Sequence, residues 1–247
     1  MIQIFKQLGR HWAACIAVVA LLFAQAYCDL SLPDYTSKIV DTGIQQGGIE
    51  SPVPDTVRDT TLQALKLLMS EQDAALAEQW YSAPDADGVR TLSPDAAAAM
   101  SELETAFTTP DVVLYMAAAQ NTAANGEAAT PAVSDLDAAA AQMAAMANVP
   151  GAREMLQARL QEEMSALDDS MADTLSQQAT LLVALEYEAQ GIAHDVQLAY
   201  LLRTGGRMLA LTLLMVAVSI AVGFLASRVS AAIGRDLRRD VFGTVVG

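Results

Sequence analysis

The stretch MLALTLLMVAVSIAVGFLAS, residues 208–227, decides the fold class of this chain. It contains no charged side chain and lies between Arg207 and Arg228. Because an α-helix rises about 1.5 Å per residue, roughly 20 apolar residues cross the hydrocarbon core of a bilayer. A buried helix of a soluble protein rarely stays uncharged over this length, so the stretch predicts a membrane span at residues 207–227.

A second apolar stretch lies near the start of the chain and reads AACIAVVALLFAQAYCDLSL, residues 13–32. It also has the length of a membrane span. Its two cysteines, Cys15 and Cys28, are the only ones in the chain. About 20 Å of helix would separate them, which is beyond the reach of a disulfide. Residues 1–12 mix apolar and basic side chains, which predicts a short amphipathic helix at the membrane interface.

Charge is distributed unevenly along the chain. Residues 33–203 carry 26 acidic and 7 basic side chains, so a nucleic-acid partner is not expected. Basic residues mark the cytoplasmic ends of spans, and they precede the first stretch and follow the second. Both termini are therefore predicted to be cytoplasmic. Residues 33–206 are then extracytoplasmic, and residues 228–247 extend the second helix into the cytoplasm.

The N-terminus allows an alternative interpretation. Basic residues, a short apolar run and the sequence Ala24-Gln25-Ala26 resemble a secretory signal with its cleavage site. Cleavage there would leave a secreted acidic helical protein with a single C-terminal membrane anchor. Such a protein would act at the cell surface as an adhesin or sensor.

The acidic middle segment has the pattern of an all-α domain, without the alternation typical of strands. Apolar residues recur at helical spacing from Leu62 to Trp80 and again from Leu156 to Leu182. Two predicted apolar faces result, and we expect them to pack against each other. The first face contains Leu62, Leu65, Met69, Leu76 and Trp80; the second contains Leu156, Leu160, Met164, Leu167, Met171, Leu175, Ala179 and Leu182.

Turn-forming residues divide this domain into shorter helices. Ser93-Pro94 predicts a capped helix that ends at about Phe107, and Thr109-Pro110 predicts the start of another. Residues 120–134 are small and polar, which predicts a flexible linker, and residues 43–48 predict a turn. A short helix from Asp195 should then lead to Gly205-Gly206 and the second span.

Signs of catalysis are sparse. Acid pairs such as Glu162-Glu163 and Asp168-Asp169 do not converge, because adjacent side chains on a helix point about 100° apart. These pairs, and Glu186 with Glu188, are predicted to face solvent. The sequence contains no phosphate-binding loop and no nucleophile elbow. The chain as given is therefore predicted to have no catalytic residue, no metal ligand and no cofactor site.

Two segments resemble bacterial ABC exporters of the half-transporter kind, in which a six-helix transmembrane domain precedes an ATPase domain. In LSLPDYTSKIVDTGIQQGGIE, residues 30–50, the resemblance is to the end of the first membrane helix. In RDLRRDVF, residues 235–242, it is to the place where the second helix continues into the cytoplasm. The matching positions are Leu32, Pro33, Asp41, Gly43, Arg235, Leu237, Arg238 and Phe242.

The resemblance implies that this chain is an N-terminal fragment of an ATP-driven exporter in the bacterial cytoplasmic membrane. ATP and magnesium would bind the ATPase domain of the full-length protein. A second half-transporter, identical or different, would complete the dimer. The family usually joins its first two membrane helices by a short loop, whereas here residues 33–206 intervene. An intact N-terminus in the purified protein would favour the exporter over the cleaved surface protein.

Overall fold

The computed structural model describes residues 12–124, 130–147, 155–158 and 172–246. Helices dominate the described chain, as predicted. The described residues form two compact units: those within 41–200 make one, and those within 1–40 and 201–247 make the other. Apart from Trp12, the predicted interfacial helix over residues 1–12 lies outside the described residues.

The described elements follow one another in a simple order. They are α1 (Trp12–Lys38), a π-helical segment (Ile39–Gln45), β1 (Thr56–Arg58), α2 (Asp59–Leu68), α3 (Glu71–Trp80), β2 (Val89–Thr91), a 3-10 helix (Pro94–Ala99), α4 (Met100–Ala124), α5 (Val133–Ala147), α6 (Ala172–Ala189) and α7 (Ala193–Val246).

Two helices are long and apolar enough to cross a membrane, and they span Ile16–Gln45 and Ala193–Arg235. Only 6% of the most apolar window of each is buried, so neither is a core helix of its unit. Exposed apolar surface of this extent requires a cover other than water. Helices of this length whose apolar sides remain uncovered are the form expected of membrane spans.

Both apolar helices run past the points where the sequence suggested interruptions. Pro33 lies inside α1, which continues to Lys38, so the helix does not end beside Leu32. Gly205 and Gly206 lie inside α7, so no separate short helix precedes the second apolar stretch. A glycine costs a helix only about 1 kcal/mol relative to alanine, and the long apolar helix tolerates this.

The 41–200 unit has a core built from several helices. α4 packs against α5 and α6, and α2 packs against α5. The predicted burial of the residues from Leu62 is confirmed: the first members are fully buried, and Leu76 and Trp80 pack against the core in part. The prediction of a single helix there is wrong, because α2 ends at Leu68 and α3 begins at Glu71. Leu156 and Leu182 contact the same core, while residues 159–171 of the second predicted face lie outside the described residues.

The prediction of a purely helical domain is wrong in one place. β1 and β2 form an antiparallel two-stranded sheet with Val57 opposite Arg90. Each strand has only three residues, which is too short for an alternating pattern to show in the sequence.

The predicted break between Phe107 and Pro110 is also wrong, because α4 continues through both residues. Pro110 is buried on the same side of α4 as Leu103, Phe107 and Leu114. Proline removes one helical hydrogen bond. The burial of this continuous apolar face offsets that loss.

The predicted linker over residues 120–134 is shorter than expected. α4 includes residues 120–124 and α5 begins at Val133, while residues 125–129 lie outside the described residues. The side chain of Thr122 donates to Asp135 at 2.7 Å, which joins the end of α4 to the start of α5. Alanine-rich sequence at a helix end therefore continued the helix here.

Candidate functional site

The polar centre of the 41–200 unit is Glu186 on α6. It is 1% exposed, although the sequence predicted a solvent-facing acid, so that prediction is wrong. Its carboxylate accepts hydrogen bonds from the Arg58 backbone N–H at 2.7 Å, Thr61 at 2.8 Å and Gln190 at 3.0 Å. The neighbouring Glu188 is exposed, as predicted.

Arg58 provides the opposite charge. Its guanidinium donates to both carboxylate oxygens of Glu186 at 3.1–3.2 Å and to Asp137 at 2.7 Å. Burial alone lowers the pKa of Arg58, but hydrogen bonds and attraction to Glu186 and then Asp137 raise it overall. Arg58 therefore remains charged and compensates the burial of Glu186.

Two tyrosines extend the polar region toward the segment before β1. The Tyr81 hydroxyl donates to the Pro54 carbonyl at 2.6 Å, and the Asp55 N–H donates to the Tyr187 hydroxyl at 2.8 Å. Burial raises the pKa of Tyr187 to about 12 and raises that of Tyr81 still further. Both hydroxyls are therefore protonated at neutral pH and act as fixed hydrogen-bonding groups.

Asp111 on α4 lies close to this region and is completely buried. Among the described residues, neither of its carboxylate oxygens has a hydrogen-bond partner. Burial, and then repulsion by Glu186, raise the pKa of Asp111 well above its usual value. Sequence reasoning missed this residue, although an available signal was its helical register with Phe107 and Leu114 on the apolar face of α4.

A second set of contacts holds the start of the 41–200 unit against its end. The Gln197 side chain donates to the Gly43 carbonyl at 2.9 Å, and Tyr200 donates to Glu50 at 3.3 Å. Gly48, with φ of +84°, lies against Tyr200, where an added Cβ would come within 2.9 Å of the Tyr200 Cβ. The turn predicted for residues 43–48 is confirmed at Gly47 and Gly48, whereas Gly43 is π-helical.

The residues singled out by the family resemblance lie on three elements. Leu32 and Pro33 lie within α1, and Asp41 and Gly43 lie in the π-helical segment. The other four positions, Arg235, Leu237, Arg238 and Phe242, lie in the last part of α7.

The unit of two apolar helices contains a groove of about 440 Å³ between α1 and α7. None of its lining residues is ionisable: they are Val18, Val19, Ala226, Val229, Ser230 and Ile233. Because Val18 and Val19 face this part of α7, Leu32 lies about 20 Å farther along α1. Leu32 and Pro33 are therefore separated along the helices from the motif at the end of α7.

The described residues contain no group of three His, Cys, Asp or Glu side chains that could hold a metal ion. Comparison with protein-family models, with characterised proteins and with solved structures finds no match for this chain.

Proposed function

We propose that this chain is the transmembrane portion of an ATP-driven exporter of the ABC type. The length of α7 is the observation that carries the proposal. Its 54 residues correspond to about 80 Å of helix, far more than a bilayer core of about 30 Å requires. A simple anchor does not need such a continuation, whereas a helix that receives motion from an ATPase domain does.

The second support is the charge at the end of α7. The helix continues for more than four turns after the apolar stretch, and Arg228, Arg235 and Arg238 are exposed there. Exposed arginines after a span favour a cytoplasmic position. We therefore propose that both termini are cytoplasmic in the bacterial cytoplasmic membrane and that residues 33–206 are extracytoplasmic.

In this proposal the chain forms part of the transport path and carries no catalytic residue. ATP and magnesium would bind a separate ATPase domain, and a second half-transporter would complete the transport path. The family-like positions Leu32, Pro33, Asp41 and Gly43, with those at the end of α7, support this assignment by resemblance. The lipid bilayer would cover the exposed apolar sides of α1 and α7.

One observation favours a second candidate, a surface protein with a single anchor. The first apolar helix lies near the N-terminus and contains Ala24-Gln25-Ala26, so it also fits a cleaved signal. N-terminal sequencing of the protein purified from membranes separates the two. An exporter retains Trp12–Lys38, whereas the surface protein begins after Ala26.

The exporter itself is tested by sequencing the gene beyond the codon for Gly247 and purifying its full product in lipid nanodiscs. We expect a phosphate-binding loop downstream and magnesium-dependent ATP hydrolysis that is lost when the lysine of that loop is replaced. The 1–247 chain, purified in the same way, serves as the control and should not hydrolyse ATP. The absence of such a loop downstream, or hydrolysis by the control, contradicts the proposal.

A further inference from the structure

Asp111 is the one buried carboxyl in the described residues that lacks a hydrogen-bond partner. It lies in the middle of α4, next to Pro110, in the helix that packs on α6. Burial of an ionised carboxylate without a partner is so costly that the group usually takes up a proton instead. The location of Asp111 therefore favours its neutral form.

Among the described residues, Glu186 is the charged group that acts on Asp111, and no cation does. Glu186, from α6, repels a negative charge at Asp111 and already binds Arg58 through both of its oxygens. Tyr81, which follows α3, is another ionisable group near Asp111, and its hydroxyl donates a hydrogen bond to the Pro54 carbonyl. Asp55 and Tyr187 are near Tyr81 in turn.

Several charged groups on the other elements around α4 have partners of their own. Arg58, the nearest cation of β1, divides its guanidinium between Glu186 and Asp137 of α5. On α2, α3 and β2, two cations pair with two acids: Arg90 with Asp59 and Glu78, and Lys66 with Glu78. On α5, the buried Asp135 accepts a hydrogen bond from Thr122.

We propose that Asp111 is a proton-binding site that makes the packing of α4 on α6 depend on external pH. The folded 41–200 unit holds the carboxyl protonated, and loss of this proton at alkaline pH loosens α4 from α6. The side of the membrane whose pH acts on Asp111 rests on the proposed exporter topology, whereas proton binding itself is independent of that side.

The sign of the effect follows from linkage. The pKa of Asp111 is higher in the folded chain than its ordinary value of 3.8, so the folded state binds the proton more tightly. The contribution of Asp111 to stability is fully present below that value. As pH rises toward the folded-state pKa, the folding equilibrium constant falls up to about tenfold per pH unit, and above that pKa the contribution is lost.

The test measures amide hydrogen exchange of α4 and α6 by mass spectrometry, on the full chain in nanodiscs, from about pH 5 to about pH 9. Rates are corrected for the intrinsic effect of pH on exchange. We expect protection of both helices to fall at least about tenfold in the wild type, whereas D111N shows no such fall. E102Q is the matched control, because it removes an exposed acid from the same helix and should behave like the wild type.

Infrared difference spectroscopy gives a readout that does not depend on the stability of a variant. At neutral pH the wild-type chain should show the carbonyl stretch of a protonated carboxylic acid, which shifts on carbon-13 labelling of aspartate and disappears in alkali. A wild-type spectrum without that band, or the same pH-dependent exchange in D111N as in the wild type, overturns the proposal. A proton site confirmed on a domain that proves cytoplasmic would contradict the topology alone.

Discussion

Glu186 joins three elements through one buried carboxylate. Arg58 comes from β1, Thr61 from α2 and Gln190 from the residues after α6, and all three donate to it. Each donor satisfies an oxygen that would otherwise be buried without compensation. The charge of Arg58 then compensates the burial of the carboxylate inside the unit.

We predict that E186A destabilises the 41–200 unit by about 3 kcal/mol, within the range for removing one partner of a buried ion pair. The free-energy loss should lie at the low end of that range, because Arg58 retains its ion pair with Asp137. D137A is the matched control and should cost less than about 1 kcal/mol, since the Asp137 side chain is 55% exposed. Urea unfolding of the full chain in detergent, followed by circular dichroism, measures both values. Equal losses in the two variants would show that burial does not decide the strength of these contacts.

Sequence reasoning predicted the burial of neither Asp111 nor Glu186. Asp111 has the register of the apolar face of α4, so its burial could have been inferred from helical spacing. Glu186 also continues an apolar face, since it lies four residues after Leu182, but its main partner, Arg58, is 128 residues away in the chain. A pairing over that separation depends on how the helices pack, and no local pattern indicates it.

The contact of residues 43–50 with residues 196–200 depends on glycine at one position. Gly48 has a positive φ, and an added Cβ would lie 2.9 Å from the Tyr200 Cβ and 3.1 Å from the Gln197 Cα. Gly47 also has a positive φ but has open space around it. A comparison of substitutions at Gly47 and Gly48 therefore separates the effect of backbone conformation from the effect of packing.

We predict that G47A costs about 1 kcal/mol, the conformational cost of alanine in the left-handed region. G48A should cost about 2–4 kcal/mol, because the added methyl group also forces its neighbours apart. The unfolding free energy in urea gives both values, and hydrogen exchange should show that protection is lost around residues 196–200 only in G48A. Similar costs for both variants would contradict the close contact.

At the scale of elements, sequence reasoning identified helices better than their ends. Apolar spacing identified α2 and the region of α6, because burial of one face sets that spacing. Pro110 misled the prediction, since local chemistry favours a helix start there while packing favours continuation. The two strands were not predicted, because each is very short and its partner strand is about thirty residues away in the chain.

At the scale of the whole molecule, the two apolar helices and the acidic domain between them could be predicted from composition alone. A run of about 20 uncharged, apolar residues indicates a membrane span directly, because few environments other than lipid can surround such a helix. The arrangement of the helices in the 41–200 unit could not be predicted. It depends on side-chain packing among segments far apart in the sequence, and residues 41–200 show no spacing that specifies those partners.

Labelling with a membrane-impermeant thiol reagent in intact cells tests the central claim, that two helices cross the membrane and hold residues 41–200 outside. Cys15 and Cys28 are first replaced by alanine, and single cysteines are then introduced as A86C, in an exposed turn, and as G247C. We predict that A86C is labelled in intact cells and that G247C is labelled only after the membrane is permeabilised. Labelling of G247C in intact cells, or protection of A86C until permeabilisation, would contradict the account.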